Sequence, residues 1–180
     1  MNIFRKIRRV ILRFRIKNYQ KKNPREKQFL NIRDIHSMLI LVYRDDSQNL
    51  VDDLRHIIST LLNKHMVVKV VLYNTKNVST EDFPDHIYEL KKSHVPYFHG
   101  LRTSITNRFH SHNYDVLMNL SCKDNTTFEY LAGISNCKMN VGVKTKYVEY
   151  YDFLLDTKGE YQNIGKSFDI LMSYLEQINK

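Results

Sequence analysis

Two runs of residues that are apolar on both faces of an extended chain constrain the fold more than any other feature. They are "SMLILVY" (37–43) and "MVVKVVLY" (66–73), and the second is rich in β-branched residues. A strand with one solvated face alternates apolar and polar residues, whereas a strand covered by helices on both faces does not. The two runs therefore predict a mostly parallel sheet between helical layers.

Strand and helix patterns alternate through the rest of the chain. Helical spacing of apolar residues runs from Leu50 to Leu61 and again from Ile164 to Ile178, and a short helix is predicted over 84–92. The segment 101–113 fits neither pattern clearly. The fold class is thus α/β, with a three-layer, Rossmann-like sheet of about five or six strands. The further predicted strands are 95–99, 114–120, 137–143 and, at an edge of the sheet, 150–157.

Charge is divided unevenly along the chain. Eleven of the 28 Lys and Arg residues, but one of the 19 acidic residues, lie in residues 1–28, so this segment carries +10 and the remainder −1. Apolar spacing predicts a helix from Asn2 to Gln20, and Pro24 cannot continue it. We divide the chain into a basic amphipathic helical arm, residues 1–28, and a single α/β domain, residues 29–180.

One face of the arm is apolar, and three partners fit such a face. In the first alternative, the surrounding bases bind RNA or the ribosome. In the second, the apolar face enters the surface of an anionic membrane. In the third, it packs on the chain's own sheet or on a second copy of the chain. The last of these is a common role of amphipathic helices, and it makes self-association through the arm an alternative. The residues of this face, called the apolar stripe below, are Ile3, Phe4, Ile7, Val10, Ile11 and Phe14.

A cluster of bases in a chain that is otherwise nearly neutral favours a polyanionic partner, since segregated charge costs self-repulsion. The bases continue beyond the predicted helix, and Trp, which is frequent at membrane interfaces, is absent. We therefore expect RNA or the ribosome rather than anionic lipid. The bases predicted to contact the polyanion are Arg5, Lys6, Arg8, Arg9, Arg13, Arg15, Lys17, Lys21, Lys22, Arg25 and Lys27.

Reactive side chains follow two predicted strands at their carboxyl ends, where open α/β sheets bind ligands. Paired carboxylates suit acid–base work, and a thiol beside a helix suits nucleophilic catalysis. Each residue also has an ordinary structural reading as a helix cap or a buried thiol, and a capping box between Thr126 and Glu129 is expected. A non-enzymatic or accessory protein is favoured, and a small enzyme is the alternative. Its catalytic candidates are Asp45, Asp46, Cys122 and Asp124.

No nucleotide, other cofactor or metal site is predicted. The chain has five glycines, none of them in the turn after the first strand, where a phosphate-binding loop needs them. Its two cysteines, at 122 and 137, have no paired spacing and indicate a reducing compartment. No apolar run is long enough to span a bilayer. We expect a cytoplasmic protein, peripheral to the inner membrane if the arm binds lipid.

Four blocks of sequence resemble an uncharacterised family from Bacteroidota, a domain of unknown function. They are "HSMLILVYRDD", "YDVLMNLSCKDNTTFEYLAGISNCKMNVGVK", "YYDFLLDT" and "IGKSFDILMSYLEQI", and with the basic arm they cover nearly the whole chain. The resemblance implies a bacterial host and its compartment, but no reaction.

A second resemblance is to the N-terminal half of lipopolysaccharide heptosyltransferases. The matching residues are Tyr114-Asp115, Asn119-Leu120, Leu131-Ala132-Gly133 and Val141-Gly142. Those enzymes bind the sugar nucleotide with a second Rossmann-like half, for which 180 residues leave no room. Shared fold geometry is therefore the most that this resemblance implies.

Overall fold

The sheet of this protein has six strands, all parallel. The computed structural model describes residues 3–44, 49–74, 85–96, 101–110, 112–121, 123–143, 146, 148–156 and 163–178, without the side chains of residues 3–5 and 110. The strand order is β3-β2-β1-β4-β5-β6, so β1 and β4 are neighbours at the point where the order reverses. The strands are β1 (Ser37–Tyr43), β2 (Val67–Asn74), β3 (Ile87–Lys91), β4 (Val116–Asn119), β5 (Met139–Val143) and β6 (Phe153–Leu155).

Helices cover both faces of the sheet, which confirms the predicted α/β class. Helices α2 and α5 share one hydrophobic core with the sheet, and α1, α3 and α4 contribute to the core on the other face. The edge position predicted for the last strand is also confirmed. The helices are α1 (Ile3–Lys22), α2 (Leu50–Asn63), α3 (Thr103–His110), α4 (Thr126–Gly133) and α5 (Ile164–Gln177).

Strand β1 explains why the two cores form. Its side chains alternate between the faces: Met38 and Ile40 lie in the core with α2 and α5, whereas Leu39 and Leu41 lie in the core with α3 and α4. All four are buried, because β1 lies between β2 and β4 in the middle of the sheet and helices cover both faces there. A central parallel strand with both faces covered has no solvated positions, and its sequence is therefore a continuous apolar run.

The prediction of the third strand was wrong. Strand β3 occupies 87–91, inside the segment predicted as a short helix, and pairs with β2 from Val70 opposite Ile87 to Asn74 opposite Lys91. Val95 and Pro96, predicted to begin a strand, follow a 3₁₀ turn, and 97–99 lie outside the described residues. The sequence "IYELK" has helix-favouring residues, and pairing along the exposed edge of β2 overrides that weak local preference.

Helix α1 runs two residues further than predicted, to Lys22, and packs on α4 through a narrow face. Ile16 is completely buried and Leu12 is 2% exposed. An ideal Cβ at Gly133, at the end of α4, would lie 2.7 Å from Ile16 Cγ2, so the absence of a side chain there permits the close approach. Gln20 Nε2 also donates a hydrogen bond to the Gly133 carbonyl at 2.9 Å.

An ion pair ties the segment after α1 to the amino-terminal edge of the sheet. Both terminal nitrogens of Arg25 donate to the Asp152 carboxylate at 2.7 Å, and the two side chains are 11% and 5% exposed. Asp152 also accepts a hydrogen bond from the Asn140 amide at 2.8 Å and lies 3.3 Å from Lys27 Nζ. Burial by itself would raise the pKa of Asp152, but the Arg25 and Asn140 hydrogen bonds and the nearby positive charges lower it. Both α1 and the segment that follows it are thus held on the domain, the helix at Gly133 and the segment at Asp152.

The Gly133→Ala substitution should destabilise the fold, because the new methyl group overlaps Ile16. We expect a cost of about 1–3 kcal/mol for Gly133→Ala and about 2–5 kcal/mol for Ile16→Ala, which leaves a cavity. In the double variant the alanine methyl partly fills that cavity, so its cost should be less than the sum. Urea unfolding of the four proteins measures this coupling, and additive costs would show that the two residues do not meet.

Arg25→Gln should lower the free energy of unfolding by about 3 kcal/mol, because it leaves the buried Asp152 carboxylate without its main partner. The matched control is Arg55→Gln, whose exposed pair with Asp52 at 3.6 Å should be worth under about 0.5 kcal/mol. Since the folded-state pKa of Asp152 is lowered, its stabilising effect is present above the ordinary value of 3.8 and lost as pH falls through the lower folded value. Acid unfolding curves should show this loss in the native protein and less of it in Arg25→Gln.

Candidate functional site

Three residues of the apolar stripe, Ile7, Val10 and Phe14, face away from the domain. Ile7, Val10 and Phe14 are 44%, 67% and 65% exposed, while Leu12 and Ile16 on the opposite side of α1 are buried. At 100° per residue, Ile7 lies directly opposite Ile16. The alternative in which the stripe packs on the chain's own sheet does not hold for these three residues. The buried face is a second apolar row, which the larger stripe concealed in the sequence.

The predicted polyanion-binding bases separate into two sets by position, and their proposed role stays a prediction. Five of them are exposed and lie on or beside the outward half of α1. Lys6 and Lys17 flank the apolar stripe on one side. Arg15 flanks it on the other side and also acts electrostatically on Tyr130 of α4. The outward set is Lys6, Arg15, Lys17, Lys21 and Lys22.

The other described bases face the domain. Arg13 Nη2 lies 3.2 Å from Glu149 Oε1, and Arg13 Nε lies 3.7 Å from Glu129 Oε1. Arg9 acts electrostatically on Glu129 and on Asp124. The charge of Arg8 opposes the rise that burial causes in the pKa of Tyr73, in β2. Arg25 and Lys27 pair with Asp152. Arg9 and Arg13 of α1 therefore lie near acidic groups of the domain, whereas Ile7, Val10 and Phe14 meet solvent.

Glu129 is the unusual member of this arrangement. Its side chain is 3% exposed, although it is a carboxylate. Burial raises the pKa of Glu129 to about 7, against the attraction of Arg13 and Arg9. The expected capping box is wrong: Asn125 caps α4 by accepting a hydrogen bond from the Thr127 amide at 2.8 Å, so Glu129 is directed towards α1 instead.

The carboxyl-terminal edge of the sheet is built from buried polar groups near the reversal of strand order. Asn119 Nδ2 donates to the Tyr151 hydroxyl at 2.7 Å, and Asn119 Oδ1 accepts from the Ser121 amide at 3.0 Å. Burial raises the pKa of Tyr151 despite this hydrogen bond. These contacts pair the three polar side chains with one another or with the backbone.

The four catalytic candidates are largely outside the described residues. Asp45, Asp46 and Cys122 lie there, so their predicted convergence with Asp124 stays a prediction. Asp124 accepts a hydrogen bond from the Lys146 amide at 3.1 Å and pairs with Lys146 Nζ at 2.7 Å. Burial favours a raised pKa for Asp124, but the Lys146 contacts outweigh it and lower the pKa. A carboxyl group held ionised in this way serves a structural pair better than proton transfer at neutral pH.

Within the described ranges, no three His, Cys, Asp or Glu side chains are placed to share a metal ion. The helices of those ranges also include none with the length and apolar character needed to cross a bilayer.

The residues that sequence reasoning missed are those that fix the arm in place. Leu12, Ile16 and Tyr19 are spaced by four and three residues, which is a signal for a second helical face. Tyr19 is half-buried, and its hydroxyl donates to Asn136 Oδ1 at 2.9 Å. The role of Gly133 as the contact point of two helices has no signature in a single sequence.

Comparison with solved structures shows a likeness in fold. The crystal structure of a glycosyl transferase family 9 protein from Veillonella parvula matches with a TM-score of 0.52 and 11% sequence identity. The match covers 86% of this chain but 43% of that protein, so this chain spans under half the length of that protein. At such identity the likeness concerns the fold alone. No curated protein matches the sequence.

The family comparison agrees with the first resemblance noted in the sequence, while the Bacteroidota host stays a prediction. The matching model includes most of α1 and every element of the α/β domain, from residue 8 to residue 178. On that coverage the chain belongs to a family of unknown function, DUF6913.

Proposed function

We propose that the protein is a peripheral membrane protein that binds anionic lipid surfaces through the outer face of α1. The observation that carries the proposal is the orientation of the helix. Its basic inner side is held against the domain, and Ile7, Val10 and Phe14 are presented outward with lysines beside them. An amphipathic helix lying in the interface buries such a stripe among acyl chains while its bases meet the headgroups.

The geometry favours lipid over RNA for two reasons. An exposed row of Ile, Val and Phe gains free energy from an apolar partner, and phosphodiester backbones supply none. The bases beyond the helix, which favoured RNA in the sequence, include Arg25 and Lys27, and both pair with Asp152. RNA and anionic lipid both carry negative charge, and either would attract Lys6, Lys17 and Lys22.

Charge also separates lipid from a second copy of the chain. Two copies of α1 that pair through their stripes would bring two sets of flanking bases together, and like charges at such an interface cost free energy. An anionic surface accepts the same stripe and neutralises the same bases. The occupant that fits both properties is therefore a lipid surface with net negative charge.

Replacing the centre of the stripe tests the proposal. Val10→Ser with Phe14→Ser should weaken binding to phosphatidylglycerol vesicles by about 3 kcal/mol, roughly hundredfold, because two apolar side chains no longer enter the acyl region. The matched control is Phe29→Ser with Val67→Ser, since these residues are 62% and 63% exposed but lie off α1. Flotation of the full-length protein with vesicles measures the binding of both double variants and of the native protein.

Each outcome of this experiment is decisive. Selective loss in the stripe variant supports the lipid surface. Equal loss in both pairs, or no flotation of the native protein, overturns it. If the native protein does not float but binds RNA in a salt-sensitive manner, then RNA is the partner of the arm.

Neutralising the flanking bases should have an effect that depends on salt. Lys6→Gln with Lys17→Gln should weaken binding to the same vesicles by about 2 kcal/mol at low ionic strength and less at high ionic strength. Lys92→Gln with Lys166→Gln changes the net charge equally at two exposed lysines off the arm. Binding isotherms on vesicles with and without phosphatidylglycerol measure the difference, and equal weakening by both pairs would mean that only net charge matters.

A further inference from the structure

The contact between α1 and α4 contains a carboxyl group in an environment that disfavours its charge. Glu129 is buried at this contact, 3.7 Å from Arg13 Nε. The Arg13 guanidinium is shared, since its Nη2 lies 3.2 Å from Glu149 Oε1, and Arg13 itself is 44% exposed. A shared and partly solvated guanidinium compensates poorly for the desolvation of a buried carboxylate.

The charged and titratable groups that face Glu129 come from each neighbouring element. Helix α1 supplies Arg9 and Arg13, the 3₁₀ turn Val148–Tyr150 supplies Glu149, and the segment before β6 supplies Tyr151. The two arginines favour the carboxylate, and Glu149 and burial oppose it. Burial prevails, so the carboxyl group holds its proton to unusually high pH.

Other described residues of α1 also contact the domain. They include the buried Leu12 and Ile16, Gln20 through its hydrogen bond to Gly133, and Tyr19 through its hydrogen bond to Asn136. Arg15 also acts electrostatically on Tyr130 of α4. Its anchors beyond the helix, above all Arg25 with Asp152, do not depend on this contact. Release of α1 from α4 therefore leaves the arm attached to the domain while exposing Glu129 to water.

We propose that α1 is a detachable helix, and that loss of the Glu129 proton weakens its docking on α4 and frees Arg9 and Arg13 for anionic lipid. The inference rests on the proposed lipid binding for its biological use, but the detachment itself is a property of the chain alone. Detachment of α1 adds Arg9 and Arg13 to the five exposed bases of its outer face. The lipid-binding surface is then adjusted by pH.

The direction of the effect follows from linkage. In the docked state the pKa of Glu129 is raised to about 7, and in the released state the exposed group returns towards its ordinary value of 4.5. The docked state therefore keeps a proton that the released state loses between these values. Docking is strongest below the lower value, weakens as pH rises through the window, and stays weak above it.

Hydrogen exchange of the full chain without lipid tests the detachment. Protection of the α1 amides from Leu12 to Gln20, corrected for the intrinsic rate and referred to α5, should fall on the order of tenfold between about pH 5.5 and about pH 8. In Glu129→Gln, which cannot ionise, the fall should be absent. Glu149→Gln is the matched control, because Glu149 also pairs with Arg13 but is 45% exposed, and it should retain the fall.

A second variant keeps the proposal falsifiable if Glu129→Gln folds poorly. Arg13→Gln removes a charge that lowers the pKa of Glu129, so the midpoint of the protection loss should move to higher pH. Constant α1 protection in the native protein, an equal fall in Glu129→Gln, or an unmoved midpoint in Arg13→Gln would overturn the detachment. Vesicle flotation at the two pH values then tests whether detachment affects lipid binding. Tighter binding at the higher pH in the native protein, but not in Glu129→Gln, supports this link. Equal binding at both pH values overturns the link and leaves the exchange result unchanged.

Discussion

The pairing of β1 with both β2 and β4 is the constraint on which the rest of the structure depends. It places a fully apolar strand at the centre of a parallel sheet, and both faces of that strand must be covered. Helices α2 and α5 cover one face, and α3 and α4 cover the other with help from Ile16 of α1. Among the described residues of α1, Ile16 belongs to the second core and Tyr19 packs against it, whereas Ile7, Val10 and Phe14 remain exposed.

The orientation of α1 reverses what an amphipathic helix usually does in a globular protein. Ile7, Val10 and Phe14 point to solvent, and Arg13 lies over Glu129 and Glu149. Close approach at Gly133 and the Arg25–Asp152 pair hold the helix in this orientation. Exposure of an apolar row costs free energy in water, which a partner with an apolar surface recovers.

Much of the fold was predictable from the chain, because burial on both faces leaves a plain pattern. The boundaries of β1 and the buried residues of α2 and α5 follow directly from apolar spacing. Strand β3 was missed because its short edge sequence is defined by pairing with β2 rather than by its own composition. Glu129 was misread because a capping-box spacing and a buried carboxylate look the same in sequence, and only the neighbouring α1 distinguishes them.

The sequence by itself determined a parallel α/β fold and a basic N-terminal helix with an apolar stripe, because periodicity and charge are local properties of the chain. It did not determine which face of the arm is covered, since Leu12 and Ile16 are a weaker row than the stripe they oppose. That choice required the position of α4 and the space above Gly133, which exist only after strands distant in sequence have paired. The tertiary structure thus decided that Ile7, Val10 and Phe14 face outward and that Arg13 covers a buried carboxyl group.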